Sequence, residues 1–270
     1  MTTSKSMPAI AHKPVIVVKI GGSMVDCLSE DFYKSLALLS EYYHCVVVHG
    51  GGPAITSLLQ ALKIEGEFYN GLRKTTPETL EVVKMTLGGT VSAQVTSALE
   101  KHSVSALGLK GCDGQLLQAS FVDQEKLGLV GNIEQVNTAL IHQLLVTGYL
   151  PVIAPLAVTE NGQTVNVNAD VAAAAVADAL QAEKLLFVTD VPGILNGETM
   201  IERITPNEIH QLIDTEVIYG GMIPKVNSAI DALSEKLKEV LIVSGEQSLL
   251  KDGMIKGTTI YHEVTEGAVR

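Results

Sequence analysis

Five short, β-branched apolar runs punctuate the chain: VIVVKI from Val15, CVVVHG from Cys45, LPVIAPLAV from Leu150, KLLFVTD from Lys184 and EVLIVSG from Glu239. Continuous apolar runs of this length read as strands buried on both faces. Between them lie helical patterns: DFYKSLALLSEYY, PAITSLLQALK, PETLEVVKMTLGGTVSAQVTSALEKH, DVAAAAVADALQAE and NSAIDALSEKL. Strands alternating with helices predict an α/β fold, a three-layer αβα sandwich around a mainly parallel central sheet. The stretch LQASFVDQEKLGLVGNIEQV, with polar alternation and glycines at its bends, predicts a hairpin excursion.

No low-complexity linker divides the chain, and no strong internal repeat is present. A weak seam near Ala179 to Lys184 suggests two lobes of one continuous sheet, residues 14–180 and 181–270, behind an N-terminal tail of residues 1–13. The 270 residues are 46% apolar and 18% charged, which is length enough to bury a substantial core. With 19 basic against 30 acidic side chains the formal charge is −11, so no overall basic field recruits nucleic acid or an anionic membrane. Any phosphate must be held by local lysines and backbone amides. Cys27, Cys45 and Cys112 form neither a disulfide framework nor a zinc-ligand spacing. Without a leader-like or membrane-length apolar segment, a cytoplasmic protein is expected.

Glycines follow the first two strands, Gly21 and Gly22 in VVKIGGS, then Gly50, Gly51 and Gly52 in VVHGGGP. Ligands of open α/β sheets sit at the carboxyl ends of strands, where such loops let backbone amides approach an anion. The alternative is that the glycines only make tight turns. Neither GxxxxGK[ST] nor GxGxxG with its downstream acid is present, which argues against a Walker-type loop and a dinucleotide fold.

Lys19 places an ammonium inside an apolar strand, which is costly unless it reaches an anion or escapes to water. Lys225 follows Pro224 where a helix is expected to start, and a cation there opposes the helix dipole. It is either solvated or beside an anion. Asn166, Asn168 and Asp170 alternate ahead of an alanine-rich helix; one can serve as its N-cap, and three exceed that need. Arg73 precedes a helix capped by Thr76 and suits bidentate capture of a carboxylate, although surface arginines are common. His49 forms no ligand or triad spacing and reads as a loop hydrogen-bonder, and Cys112 as a turn residue.

Lys19-x-Gly21-Gly22, His49-Gly50-Gly51-Gly52, Asn70-Gly71-Leu72-Arg73, Asn166-Val167-Asn168-Ala169-Asp170, Thr189-Asp190-Val191-x-Gly193 and Gly221-Met222-x-x-Lys225 follow one another along the chain. In that order they resemble the amino-acid kinase family, from about Val15 to Ile260. NGLRKT and NVNAD favour the member acting on N-acetyl-L-glutamate. The resemblance implies phosphoryl transfer from ATP with Mg²⁺, the metal held mainly by nucleotide phosphates and by no protein ligand set. The γ-carboxylate of N-acetyl-L-glutamate would be the acceptor, giving an acyl phosphate on the route to arginine.

On that resemblance Lys19 and Lys225 flank the migrating phosphoryl group and Asp170 organises them. Gly51 and Gly52 hold substrate or γ-phosphate, Arg73 and Asn166 grip the acceptor, and Gly21 and Gly22 contact nucleotide phosphates. Thr189, Asp190, Val191, Pro192, Gly193, Ile194 and Leu195, with Val217, Ile218 and Tyr219, would line the nucleotide pocket. Arginine-inhibited relatives carry a longer N-terminal helix that links dimers into a hexamer. The short segment here, with Pro8 and Pro14, predicts a homodimer without arginine feedback. Rival readings are a sibling carboxylate kinase for an aminoadipate derivative, glutamate or aspartate, and a non-catalytic ligand sensor.

Overall fold

The structure is a computed structural model that describes residues 13–262, so the segment around Pro8 lies outside the described residues. Each of the five apolar runs contributes a strand to one eight-stranded sheet. Its order is Arg203–Ile204, Thr258–Tyr261, Glu239–Ser244, Lys184–Thr189, Val15–Ile20, His44–His49, Leu150–Ala154 and Ala106–Lys110. Every pairing is parallel except Glu239–Ser244 with Thr258–Tyr261. Lys184–Thr189 pairs directly with Val15–Ile20, so the sheet crosses the seam near Ala179 unbroken.

The strand period of two builds the three layers. From Val15–Ile20, Val15 and Val17 enter a core with Ala172, Ala173 and Val176 of helix Ala169–Ala179. Ile16, Val18 and Ile20 enter the opposite core with Phe32, Leu36 and Leu39 of helix Glu30–Tyr42, and with Val95 and Leu99 of helix Ser92–Lys101. Lys19 therefore shares the face of Val15 and Val17 and emerges toward helix Ala169–Ala179.

Two departures from the expected elements have local causes. LPVIAPLAV is two strands, Leu150–Ala154 and Leu156–Val158, separated at Pro155, which has no N–H for a ladder. The second joins Leu117–Phe121, Val130–Val136 and Thr164–Val167 in a small closed barrel, within which the expected hairpin pairs antiparallel. The long helical pattern from Pro77 is not one α-helix. Helices Pro77–Met85 and Ser92–Lys101 are joined by a π-helical turn, Thr86–Val91, containing Gly88 and Gly89. A Cβ on Gly88 would lie 2.7 Å from the Lys110 side chain, so glycine there lets the turn press on the edge strand.

Candidate active site

Two glycine loops interlock at the carboxyl ends of Val15–Ile20 and His44–His49. A Cβ on Gly22 would stand 2.6 Å from Gly51 N and 2.7 Å from Gly52 N, and one on Gly50 would stand 2.9 Å from Gly22 N. The loops thus pack backbone on backbone, with no room for side chains between them. Gly51 is closed from the other side, where its Cβ would meet Leu87 at 2.5 Å in the π-helical turn. Gly52 alone of the triplet faces open space, with nothing within 4 Å of a Cβ. It opens helix Gly52–Ala61 with Pro53 in the first turn, as the N-terminal preference of proline favours.

His49 is fully buried at the end of its strand. Its Nδ1 donates to Gly50 O at 3.0 Å, while Nε2 has no hydrogen-bond partner among the described residues. Burial draws its pKa down, so the ring is neutral and fixes the start of the triple glycine.

Lys19 Nζ lies 2.6 Å from Asp170 Oδ1, an ion pair set off the direction of a hydrogen bond. It also lies over the Phe187 ring, 5.7 Å from the centroid. Asp170 is placed by its own cap: Asn168 Oδ1 accepts from Asp170 N at 2.7 Å and from Val171 N at 3.4 Å. Asn168 is thus the capping member of the alternating triplet.

On the other side, Lys225 donates to Asp190, whose pKa is lowered chiefly by that hydrogen bond. Helix Met222–Ala232 starts two residues before Pro224, so Pro224 and Lys225 both sit in its first turn. Asp190 supplies there the negative charge that the helix end and the lysine both favour.

Arg73 is 8% exposed, far from the common solvated arginine. Its Nη2 donates to Thr56 Oγ1 at 2.8 Å and to Gly52 O at 3.2 Å, and its guanidinium stacks over Phe68 at 4.6 Å. Desolvation draws its pKa down from the ordinary guanidinium value. Asn166 Nδ2 donates to Thr75 Oγ1 at 3.2 Å.

Three cavities carry most of the residues singled out in the sequence. The largest, about 750 Å³, is lined by Lys19, Gly21, Gly22, Gly51, Gly52, Arg73, Asn166 and Asp170. A smaller one, about 180 Å³, carries Lys19, Gly21, Asp170, Thr189, Asp190 and Lys225. Lys19, Gly21, Ser23 and Asp170 line both, which makes them the wall where the two meet. A third, about 530 Å³, is lined by Val191, Gly193, Ile194, Leu195, Val217, Ile218 and Tyr219, joined by Asn196, Glu216 and Met222. Pro192 is not among its lining residues, and Gly22 belongs to the first cavity and not the second. Sequence reasoning passed over Ser23, Thr56 and Phe68, each a lining residue of the first cavity. Thr56 was detectable, one turn beyond Gly52 on the same helix face.

The model of the amino acid kinase family matches residues 14–244. An acetylglutamate kinase of Bacillus velezensis is 50% identical over 252 residues, covering 93% of this chain and 98% of that one. One from a Geobacillus species (strain WCH70) is 48% identical over 250 residues, with 92% and 97% covered. Among solved structures, smu.665 from Streptococcus mutans UA159 superposes with a TM-score of 0.79 at 33% identity, covering 92% of this chain and 98% of that one.

Proposed function

The chain belongs to the amino acid kinase family, and on that premise we propose that it transfers the γ-phosphoryl group of ATP to the γ-carboxylate of N-acetyl-L-glutamate, giving the acyl phosphate used on the route to arginine. The observation that carries this reading is the shared wall: Lys19 and Asp170 stand between a cavity with a buried arginine and one with a second lysine. The acceptor occupies the larger cavity, with Arg73 and Asn166 on its polar groups. The nucleotide base occupies the cavity between Val191–Leu195 and Val217–Tyr219, which aims its phosphates at Asp190, Thr189 and Lys225. Residues 14–180 accordingly serve the acceptor and residues 181–270 the nucleotide.

The acceptor carboxylate has an ordinary pKa near 4 and is ionised at neutral pH, so no general base is needed. What the reaction asks for is in-line alignment and cancellation of charge on the phosphoryl group in transit. Lys19 approaches that group from the acceptor side and Lys225 from the nucleotide side. Amides of Gly51 and Gly52 add fixed donors beside them. Asp170 orients Lys19 and takes no proton. Mg²⁺ arriving on the nucleotide would supply further charge cancellation on the phosphate oxygens. Asp170 and Asp190 are the carboxylates beside that path, each engaged with a lysine, which fits a metal carried mainly by the phosphates.

The test is incubation with ATP, N-acetyl-L-glutamate and hydroxylamine, which traps an acyl phosphate as a coloured hydroxamate. Glutamate, aspartate and an N-acylated aminoadipate run beside it. Turnover of another acid in place of N-acetyl-L-glutamate overturns the assignment. We also propose a cytoplasmic homodimer insensitive to arginine; gel filtration with and without arginine tests it, and a hexamer refutes it.

A further inference from the structure

Thr75 closes the NGLRKT string yet lines no wall of the acceptor cavity. It is fully buried, at 0% exposure. Its backbone is locked on both sides to the segment leading into barrel strand Val130–Val136: Thr75 N donates to Leu127 O at 2.8 Å, and Leu129 N donates to Thr75 O at 2.7 Å. The approach is close enough that a Cβ on Gly128, which has φ +70°, would lie 2.5 Å from Thr75 O. Asn166 N donates to Leu129 O at 3.0 Å, so the same segment also carries the strand of Asn166.

The Thr75 side chain then joins the two acceptor-gripping residues. A hydroxyl has a single proton, and here it goes to Arg73 O at 2.9 Å, a carbonyl that can only accept. What remains on Oγ1 is lone pairs, so it can only accept from Asn166, whose Nδ2 lies 3.2 Å away. Rotating the Asn166 amide by half a turn would set its oxygen against an oxygen with no proton to share. The direction of the Asn166 amide is therefore fixed by the hydroxyl, and its carbonyl and second N–H are left for a ligand. The same hydroxyl holds the backbone from which Arg73 reaches Thr56 and Gly52.

We propose that Thr75 is a positioning residue for the acceptor, acting through the amide direction of Asn166 and the backbone of Arg73. This rests on the acceptor reading of those two residues. Wild-type turnover of N-acetyl-L-glutamate tests that reading separately. If another acid is the substrate, the Thr75 experiment is read with that acid.

The experiment compares Thr75→Val, Thr75→Ala and Thr75→Ser with the wild type, measuring KM for acceptor and for ATP together with thermal unfolding. Removing the hydroxyl leaves a half-buried amide and a buried carbonyl unpaired, so acceptor KM rises by roughly tenfold or more. KM for ATP stays within about twofold, because the loss is of acceptor binding alone. Thr75→Ser restores acceptor KM to within about threefold of wild type, since it returns the one group that matters. Thr75→Ala carries the test if valine's methyl, placed where Oγ1 makes two short contacts, prevents folding. In an Asn166→Ala background the Thr75 substitution adds less than about threefold, the non-additivity expected of residues acting as one unit. An unchanged acceptor KM in both hydroxyl-free variants overturns the proposal. So does a rise in ATP KM that matches the rise for acceptor, or failure of serine to restore.

Discussion

Gly22→Ala puts the interlocked loops to a quantitative test. The new methyl would sit 2.6, 2.7 and 2.9 Å from Gly51 N, Gly52 N and Gly51 Cα, all main-chain atoms that cannot rotate away. Ordinary contact begins near 3.4 Å, so the loops must part by about 0.8 Å to relieve the closest approach. Overpacking of this kind costs roughly 1–3 kcal/mol, which for a chain of this length lowers Tm by about 2–10 °C. The larger effect falls on rate. Gly51 and Gly52 carry the amides proposed to face the phosphoryl group, and a misplacement near 1 Å costs on the order of 10²-fold. Hydroxamate formation should therefore show kcat/KM reduced about a hundredfold at saturating ATP. Gly52→Ala is the control, since nothing lies within 4 Å of its Cβ. It should leave Tm within about 2 °C, and its methyl, entering the large cavity, should act mainly on acceptor KM. Gly22→Ala with kcat/KM within about threefold of wild type would refute the argument that these loops must touch.

Lys225→Ala should lower kcat far more than either KM, because its charge is needed most where phosphoryl charge develops; a pure KM effect would move it to a binding role. Asp170→Asn should slow the reaction by loosening Lys19 while leaving the shape of the pH–rate profile as in the wild type; a wild-type limb that disappears in the variant would make Asp170 a proton carrier. His102 joins helices Glu30–Tyr42 and Ser92–Lys101, with Nδ1 2.9 Å from Ala98 O and Nε2 2.7 Å from Glu30 Oε2. Both partners only accept, so the doubly protonated ring is favoured and its pKa is raised, first by Ala98 and then by Glu30. A pKa raised in the folded state gives stability that is complete below about 6.5 and lost as pH rises through the folded value. The wild-type Tm should thus fall on going from about pH 6 to 8 by more than that of His102→Gln, and parallel curves would contradict this.

The central sheet was legible because its strands are buried on both faces, and a buried parallel strand announces itself as an unbroken β-branched run. Ala106–Lys110 was missed for the complementary reason. ALGLK at the sheet edge has no β-branched residue, and its Leu107 and Gly108 are exposed. The π-helical turn escaped because TLGGTV continues the apolar spacing of the helices on either side. Its purpose becomes visible only when Leu87 is found against Gly51, a contact across 36 positions. In the site, residues whose misfit is local were readable: Lys19 in an apolar strand, Lys225 at a helix start, and three polar side chains before one cap. Arg73 could be read either as a carboxylate-binding arginine or as an ordinary surface one, since the burial supplied by Thr56, Gly52 and Phe68 depends on a hairpin folding over the helix. Thr75 was unreadable in the same way, because its partner Asn166 lies 91 residues away.

The charges of the site have a common logic that neither lysine shows alone. The chain is acidic overall, at −11, yet the smaller cavity beside Lys19 holds two lysines and two aspartates. Each lysine has one aspartate, and the pairs lie on opposite sides of the seam near Ala179: Lys19 with Asp170, and Lys225 with Asp190. Each aspartate thus anchors its lysine by an ion pair while both lysines still line the cavity proposed to bring a carboxylate and a polyphosphate together. Lys19 also lies over Phe187, whose ring attracts a cation while adding no anion to repel the phosphoryl group. Removing either aspartate should then weaken transfer by misplacing a lysine, whereas removing either lysine takes away the charge itself. The second loss should exceed the first at each pair, and the reverse order at either one would place the chemistry on the carboxylates.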